Sequence, residues 1–308
     1  MGRHVIAHTR PPETHITPMK GGSRLSQPVV GKIHSIETMG LMDGPGVRTV
    51  VFLQGCPLRC AYCHNPDTQA MDSPQQRLIT PDELLHTVLR QRNYFGAEGG
   101  VTFSGGEPLM QGAFLAEAVK RLKLHGINLA LDTSGFGDRT YYPKIFPLVD
   151  TMLLDVKSFT KEAFRDLTHG SFSTYLQFIQ DVKTMGFDGQ IWVRHVMVPG
   201  FTDREEAMDQ LVATILPFSN RVDRIEILPY HIMGKEKYQA MGIPYRLEGV
   251  PPMDAKEAKR LEKYALNQFY RRRAEKNRRR PTARQSFPTP AKEAHMAHPD
   301  QHTFTPSP

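Results

Sequence analysis

An open, partial (β/α)6 barrel of the TIM type is the fold this sequence predicts, an α/β architecture built on a parallel sheet. Three observations carry it. Six apolar, β-rich runs alternate with helical patterns along the chain. Several of those runs are apolar throughout, as strands buried on both faces are. Six units are also too few to close an eightfold barrel.

Taken in order, residues 1–30 are polar, rich in Pro, His and Gly and without hydrophobic periodicity, and read as a disordered extension. The first strand candidate is VRTVVFLQG (47–55). TPDELLHTVLRQR (80–92) then opens with an N-cap Thr and a first-turn acidic pair, the mark of a helix start. GVTFSG (100–105) is the second strand, and AFLAEAVKRLKLHG (113–126) the helix after it, closed by a Gly just past its end. NLALDTSG (128–135), TMLLDVK (151–157), IWVRHVMV (191–198) and RIEILPY (224–230) supply four more strands. REEAMDQLVATIL (204–216) and DAKEAKRLEKYALNQFYRRR (254–273) complete the helices. The domain limits that follow are 31–270 for the folded body and 271–308 for a basic, then Pro-rich, disordered tail. In such sheets ligands sit at the carboxyl ends of the strands, so the residues just after each run are the ones that matter.

Charge and cysteine usage narrow the class. The 308 residues carry a net charge of +7, but residues 271–280 (RRRAEKNRRR) hold +6 and residues 1–30 hold +3, leaving about −2 on the remainder. The basicity belongs to the ends. The arginine run suits phosphate binding or, more simply, a solvated helix C-terminus. The three cysteines lie within eight positions, which excludes a disulfide-stapled secreted scaffold and gives them one local purpose. No apolar run approaches the roughly 18–20 residues of a membrane span. No signal-peptide pattern opens the chain. The expected setting is the reducing cytoplasm, with no membrane and no specific nucleic acid as partner.

The strand ends carry the chemistry. After the first run stands CPLRCAYCH, with Cys56, Cys60 and Cys63 spaced x3 and x2 and followed by His64. Three thiolates on one loop can hold a compact metal site. A [4Fe–4S] cube takes four cysteines as a rule, so three would leave one iron open to a small chelating molecule. Cys60 to His64 also matches the c-type haem pattern, which leaves Cys56 unused. A Cys3His zinc site is a third reading, made awkward by the adjacency of Cys63 and His64. Gly105, Gly106 and Glu107 follow the second run, two glycines that allow close approach to the backbone and one carboxylate. Asp132 and Thr133 end the third run, and Asp155 and Lys157 end the fourth, two apart and so on one face. His231 follows the last.

The cysteine loop resembles the signature of the radical S-adenosylmethionine (SAM) superfamily, and the resemblance runs through residues 31–253. It sharpens to the pyruvate formate-lyase activating enzymes in GKIHSIETMGLMDGPGVRTVVFLQGCPLRCAYCHNPDT (31–68), GGVTFSGGEPLMQ (99–111), LDTSGF (131–136), MLLDVK (152–157), WVRHVMVPG (192–200) and ILPYHIMGKEKYQAMG (227–242). The ends, 1–30 and 271–308, fall outside it. What the resemblance implies is one [4Fe–4S] cluster on Cys56, Cys60 and Cys63, with SAM on the fourth iron. It places the Gly105-Gly106-Glu107 motif at the SAM amino group and Asp132, Thr133, Asp155, Val156, Lys157 and His231 around SAM. Lys157 and His231 are the catalytic positions it implies, with Lys157 suited to the carboxylate of SAM. Tyr62 and His64 would lie beside the adenine or ribose, Arg194 would reach SAM or a substrate peptide, and a monovalent cation would sit near Asp132 and Asp155. The implied reaction is reductive cleavage of SAM to methionine and a 5′-deoxyadenosyl radical, which takes hydrogen from a glycine of a partner enzyme. That partner would be pyruvate formate-lyase or a related glycyl-radical enzyme such as anaerobic ribonucleotide reductase, the reductant a flavodoxin or ferredoxin type, and the enzyme a monomer. An iron–sulfur electron carrier or a nucleic-acid-binding protein is the reading from a different class; neither explains why motifs stand at several strand ends.

Overall fold

The computed structural model describes residues 28–279. Apart from residues 28–30 and 271–279, the expected disordered extensions lie outside the described residues. The sheet has eight strands: β1 (Gly31–Gly40), β2 (Arg48–Leu53), β3 (Arg77–Ile79), β4 (Gly100–Gly105), β5 (Asn128–Thr133), β6 (Thr151–Asp155), β7 (Gln190–Met197) and β8 (Val222–Pro229). Their order is β3-β1-β2-β4-β5-β6-β7-β8, so the sheet stays open with β3 and β8 at its edges. From β2 to β8 every pairing is parallel. These are the six strands expected. β1 and β3 are an addition, paired antiparallel on the outer side of β2.

Among the described residues eight α-helices accompany the strands: α1 (Pro81–Leu89), α2 (Gly112–Leu124), α3 (Tyr142–Ile145), α4 (Lys161–Thr168), α5 (Phe172–Thr184), α6 (Glu205–Ile215), α7 (Lys235–Ala240) and α8 (Ala255–Arg279). Residue chemistry explains their starts and faces. Thr80 and Glu83 close a capping box on α1, each side chain accepting from the other's backbone N–H, with Pro81 preset in the first turn. α2 buries Phe114, Leu115, Ala118, Val119 and Leu122, and α8 buries Ala258, Leu261, Ala265 and Phe269 at helical spacing. The strands between are the core: four of the five residues of β6 and five of the six of β4 are buried. Among the described residues no helix is long and apolar enough to cross a membrane.

One boundary differs from expectation. The helix expected over 254–273 runs on to Arg279, so a limit at residue 270 cuts through a continuous helix. The extension is anchored: Arg272 donates to Asp209 at 2.5 Å, and Lys276 donates to the carbonyl of Leu216 at 2.7 Å. Of the arginine run, 271–279 is therefore helix. The chain between β6 and β7 also folds into α4 and α5, a pair absent from the sequence reading.

Candidate functional site

The carboxyl ends of the parallel strands surround a cavity of about 190 Å³. Its walls hold Cys56, Cys60, Cys63, Tyr62 and His64 from the loop after β2, Gly105 ending β4 and Gly106 after it, Asp132 and Thr133 on β5, and Asp155 ending β6 with Lys157 after it. A larger cavity of about 1080 Å³ opens at the opposite mouth, lined by strand beginnings and α8, and takes none of the cysteines or strand-end motifs.

The cysteine loop is held from several sides. Gly55 N–H donates to the Thr68 carbonyl at 2.8 Å, and Arg59 and Ala61 N–H donate to the Thr168 and Leu167 carbonyls at the end of α4, at 2.7 and 2.8 Å. Lys237 on α7 donates to Asn65 at 3.0 Å and pairs with Asp67. Burial pushes the Cys56 and Cys60 thiols up to about 12 and raises Cys63 as well. In this setting the sulfurs become thiolates only when a bound metal group compensates their charge. Among the described residues no three His, Cys, Asp or Glu side chains converge as for a single ion. The three thiols line the same cavity instead, a donor set that would suit a polynuclear cluster.

Gly105 and Gly106 meet protein before they meet ligand. Gly105 has φ +104, and a Cβ on Gly106 would lie 2.3 Å from the Gly55 carbonyl oxygen. Gly106 N–H donates to Leu53 O and Glu107 N–H to Gly55 O, both at 2.8 Å, so the turn is stitched to the root of the cysteine loop. Glu107 itself is fully buried and faces away from the cavity. Its carboxylate accepts from Leu109 N–H, the Thr133 hydroxyl, and the N–H and hydroxyl of Ser134, at 2.6–3.0 Å. This carboxylate clamps the end of β5, and the backbone of Gly105 and Gly106 is what faces the cavity. Burial raises its affinity for a proton, opposed by those hydrogen bonds.

Lys157 and Asp155 form an ion pair of 2.7 Å in the cavity wall. Burial opposes the lysine charge, but Asp155, helped by Cys60 and Tyr62, outweighs it and holds the ammonium well above its ordinary range. Lys157 Nζ also lies 6.0 Å from the Tyr62 ring centre. Asp132 accepts from the Ser104 hydroxyl at 2.7 Å and faces Arg194 at 3.6 Å. Burial, against Arg194, lifts Asp132 to about 6. A cation between Asp132 and Asp155 would share these carboxylates with Arg194 and Lys157. Arg194 also pairs with Glu226 on β8 at 3.0 Å and donates to the carbonyl of Met42.

His231 and Val156 stand outside the cavity lining. The His231 ring stacks on His64, centroids 4.1 Å apart, and its Nδ1 is buried without a partner, as is the Tyr62 hydroxyl. Two orphaned polar atoms beside the cavity wall are what a bound polar molecule would satisfy. Burial and His231 together lower the proton affinity of His64. Val156 is core: its N–H donates to Arg194 O, and its carbonyl contacts His195 Nδ1 at 2.6 Å.

Several residues escaped the sequence reading. Ser104, Ser134, Asn65, Thr68 and Gln69 add polar groups to the cavity wall, and Leu58 and Val196 complete it. Arg48 is fully buried and donates to Pro45 O, Val101 O, the Thr102 hydroxyl and Asn128, pinning the DGPG turn inside the barrel. Thr102 in turn donates to Asp43 O at 2.6 Å.

Comparison with known proteins points to the same chemistry. The sequence profile of the radical SAM superfamily matches residues 50–212. The pyruvate formate-lyase-activating enzyme of Clostridium pasteurianum is 44% identical over 237 residues, covering 77% of this chain and 97% of that protein. That of Staphylococcus epidermidis is 41% identical over 241 residues, covering 76% and 94%. Among solved structures, Streptococcus suis SuiB bound to precursor peptide SuiA matches with a TM-score of 0.56 at 16% identity, over 78% of this chain and 48% of that one, a likeness of fold alone. The chain belongs to the radical SAM superfamily and, within it, to the family of pyruvate formate-lyase-activating enzymes.

Proposed function

We propose that this protein activates pyruvate formate-lyase in the absence of oxygen by creating a radical on a glycine of that partner. A [4Fe–4S] cluster with SAM on its open iron supplies, on one-electron reduction, cleavage of SAM to methionine and a 5′-deoxyadenosyl radical able to take hydrogen from a glycine Cα. The observation that carries the reading is the meeting of three cysteines, a charged Lys157 and the Gly105-Gly106 backbone around one cavity, in a chain of this family.

The protein's own groups divide the work. Cys56, Cys60 and Cys63 would hold three irons. Lys157 keeps its charge inside the barrel and would receive the carboxylate of SAM, while Asp155 fixes the direction of the ammonium. The carbonyl groups at Gly105 and Gly106 would accept from the SAM amino group. Tyr62, and the stacked His64 and His231, would border the nucleoside, with the orphaned Tyr62 hydroxyl and His231 Nδ1 available to it. Arg194, held by Asp132 and Glu226, fixes the Met42 carbonyl and so positions the loop between β1 and β2. Three cysteines without disulfides suit a reducing cytoplasm; a monomer reduced by a small electron-transfer protein completes the proposal.

The test is anaerobic reconstitution with iron and sulfide, followed by SAM, a reductant and pyruvate formate-lyase. Electron paramagnetic resonance should show a glycyl radical on pyruvate formate-lyase and none when SAM is omitted. A radical on anaerobic ribonucleotide reductase but not on pyruvate formate-lyase would overturn the choice of partner.

A further inference from the structure

The cysteine loop has two sides. One faces the cavity. The other carries Arg59, which is exposed and absent from the cavity wall. Arg59 Nη1 donates to the carbonyls of Cys56 and Leu58, each at 2.7 Å. Arg246 lies beside it, exposed, with Nη1 on the Arg59 carbonyl at 2.6 Å and Nη2 on the carbonyl of Asp166 in α4. Both guanidinium groups are therefore oriented by neutral carbonyl oxygens, and neither has a carboxylate partner among the described residues. Around them stand Arg165, paired with Asp166 at 3.3 Å, Lys235, paired with Glu248 at 2.7 Å, and exposed His169. The paired groups cancel, and the two arginines leave the patch positive. Arg59 still offers Nε and Nη2, and Arg246 its Nε, in a fixed fork that matches a carboxylate.

We infer that this outer face is the docking surface for an acidic one-electron carrier protein that reduces the cluster, an inference resting on the function proposed above. The cysteine loop must receive an electron from outside while the barrel mouth stays open to SAM and the glycyl partner. The outer face meets both needs, since Arg59 touches the backbone of a cluster-binding cysteine and faces away from the cavity. One electron leaves the carrier, which is oxidised by one, and enters the cluster, which is reduced by one; no bond is made and no proton moves. Positive charge without local compensation speeds encounter with an acidic face more than it strengthens the final complex.

Stopped-flow reduction of the reconstituted holoenzyme by a photoreduced acidic flavodoxin tests this. In Arg59→Gln with Arg246→Gln, which keeps an N–H for the loop carbonyls, the second-order rate should fall about tenfold at low salt and lose most of its salt dependence. Arg165→Glu, away from the loop backbone, should slow the same step in the same direction. Reduction by photoreduced 5-deazariboflavin, a small molecule needing no docking surface, should be unchanged in all variants. Unchanged flavodoxin rates, equal slowing with both reductants, or a wild-type chain that flavodoxin fails to reduce would each overturn the inference. So would a loss of glycyl-radical yield in deazaflavin-reduced variants, which would assign the patch to pyruvate formate-lyase. If the double variant holds no cluster, Arg165→Glu decides alone. Failure of the wild-type enzyme to form any glycyl radical counts against the activase reading and leaves the reduction rates to judge the docking face.

Discussion

Lys157 stays charged although burial opposes it, because Asp155 stands 2.7 Å away and the pair is largely withdrawn from solvent. Lys157→Ala should therefore weaken SAM binding by roughly 10- to 150-fold, the loss of one charge-assisted contact of about 1.5–3 kcal/mol. Iron content and the visible spectrum of the cluster should stay at the parental level; equal SAM affinity in titrations would remove Lys157 from the site. His195 makes a different prediction. Buried on β7, it contacts the Val156 carbonyl through Nδ1, its Nε2 has no partner, and burial lowers its pKa to about 4. Above pH 6.5 the ring is neutral folded or unfolded, and its stability contribution is fully present. As pH falls from about 6.5 towards 4 the unfolded chain takes a proton that the folded chain refuses, so stability falls by on the order of 3 kcal/mol. Urea titrations across that window should show the loss in the parent and a flatter acid limb in His195→Phe. The cysteines were legible in the sequence because their chemistry is set by residue type and their neighbours are adjacent in the chain. Glu107 was legible only in part. Its carboxylate direction depends on Thr133 and Ser134, groups 26 and 27 residues away that only the paired strands bring near. Arg48 gave no signal at all, since its acceptors are backbone carbonyls and side-chain oxygens up to 80 residues away, whose convergence no local pattern records.

At the scale of elements, α8 shows how a charge run can be read too simply. Its last turns are basic, as suits a helix C-terminus, yet Arg272 and Lys276 reach back to Asp209 on α6 and Leu216 at its end. A chain cut after Tyr270 should melt roughly 2–6 °C below one cut after Arg279, on the order of 1–2 kcal/mol for the partly exposed contacts removed. Calorimetry giving equal melting temperatures would mean that these contacts contribute nothing. Both shortened chains keep every residue of the cysteine-lined cavity and should cleave SAM alike at low temperature. The six parallel strands were readable because burial on both faces makes them apolar throughout. β1 was not, because only Gly31 and Ile33 of its ten residues are buried and His34, Ser35 and Glu37 dilute its pattern. α4 was missed for a similar reason: eight residues with only Phe164, Leu167 and Thr168 buried offer too short a stripe to stand out.

For the whole molecule, sheet order follows chain order from β4 onward, so each strand from β5 to β8 pairs with the one made just before it, while β3 crosses to the edge beside β1. That regularity is why the fold class could be read from the alternation of elements alone. What alternation could not reveal is that the cysteine loop is held from elsewhere in the chain. Its N–H groups donate to Leu167 and Thr168, and Arg246 grips Arg59 from 187 residues downstream. Protein synthesis delivers these partners late. While the ribosome is still extending the chain, Cys56, Cys60 and Cys63 have left it without the segments that shape their loop. Iron and sulfide are best received by the finished polypeptide, after the last third has emerged and closed over the loop. Until then the three thiols are open to any oxidant, and the time the nascent chain spends half-made is the interval in which air does the most harm.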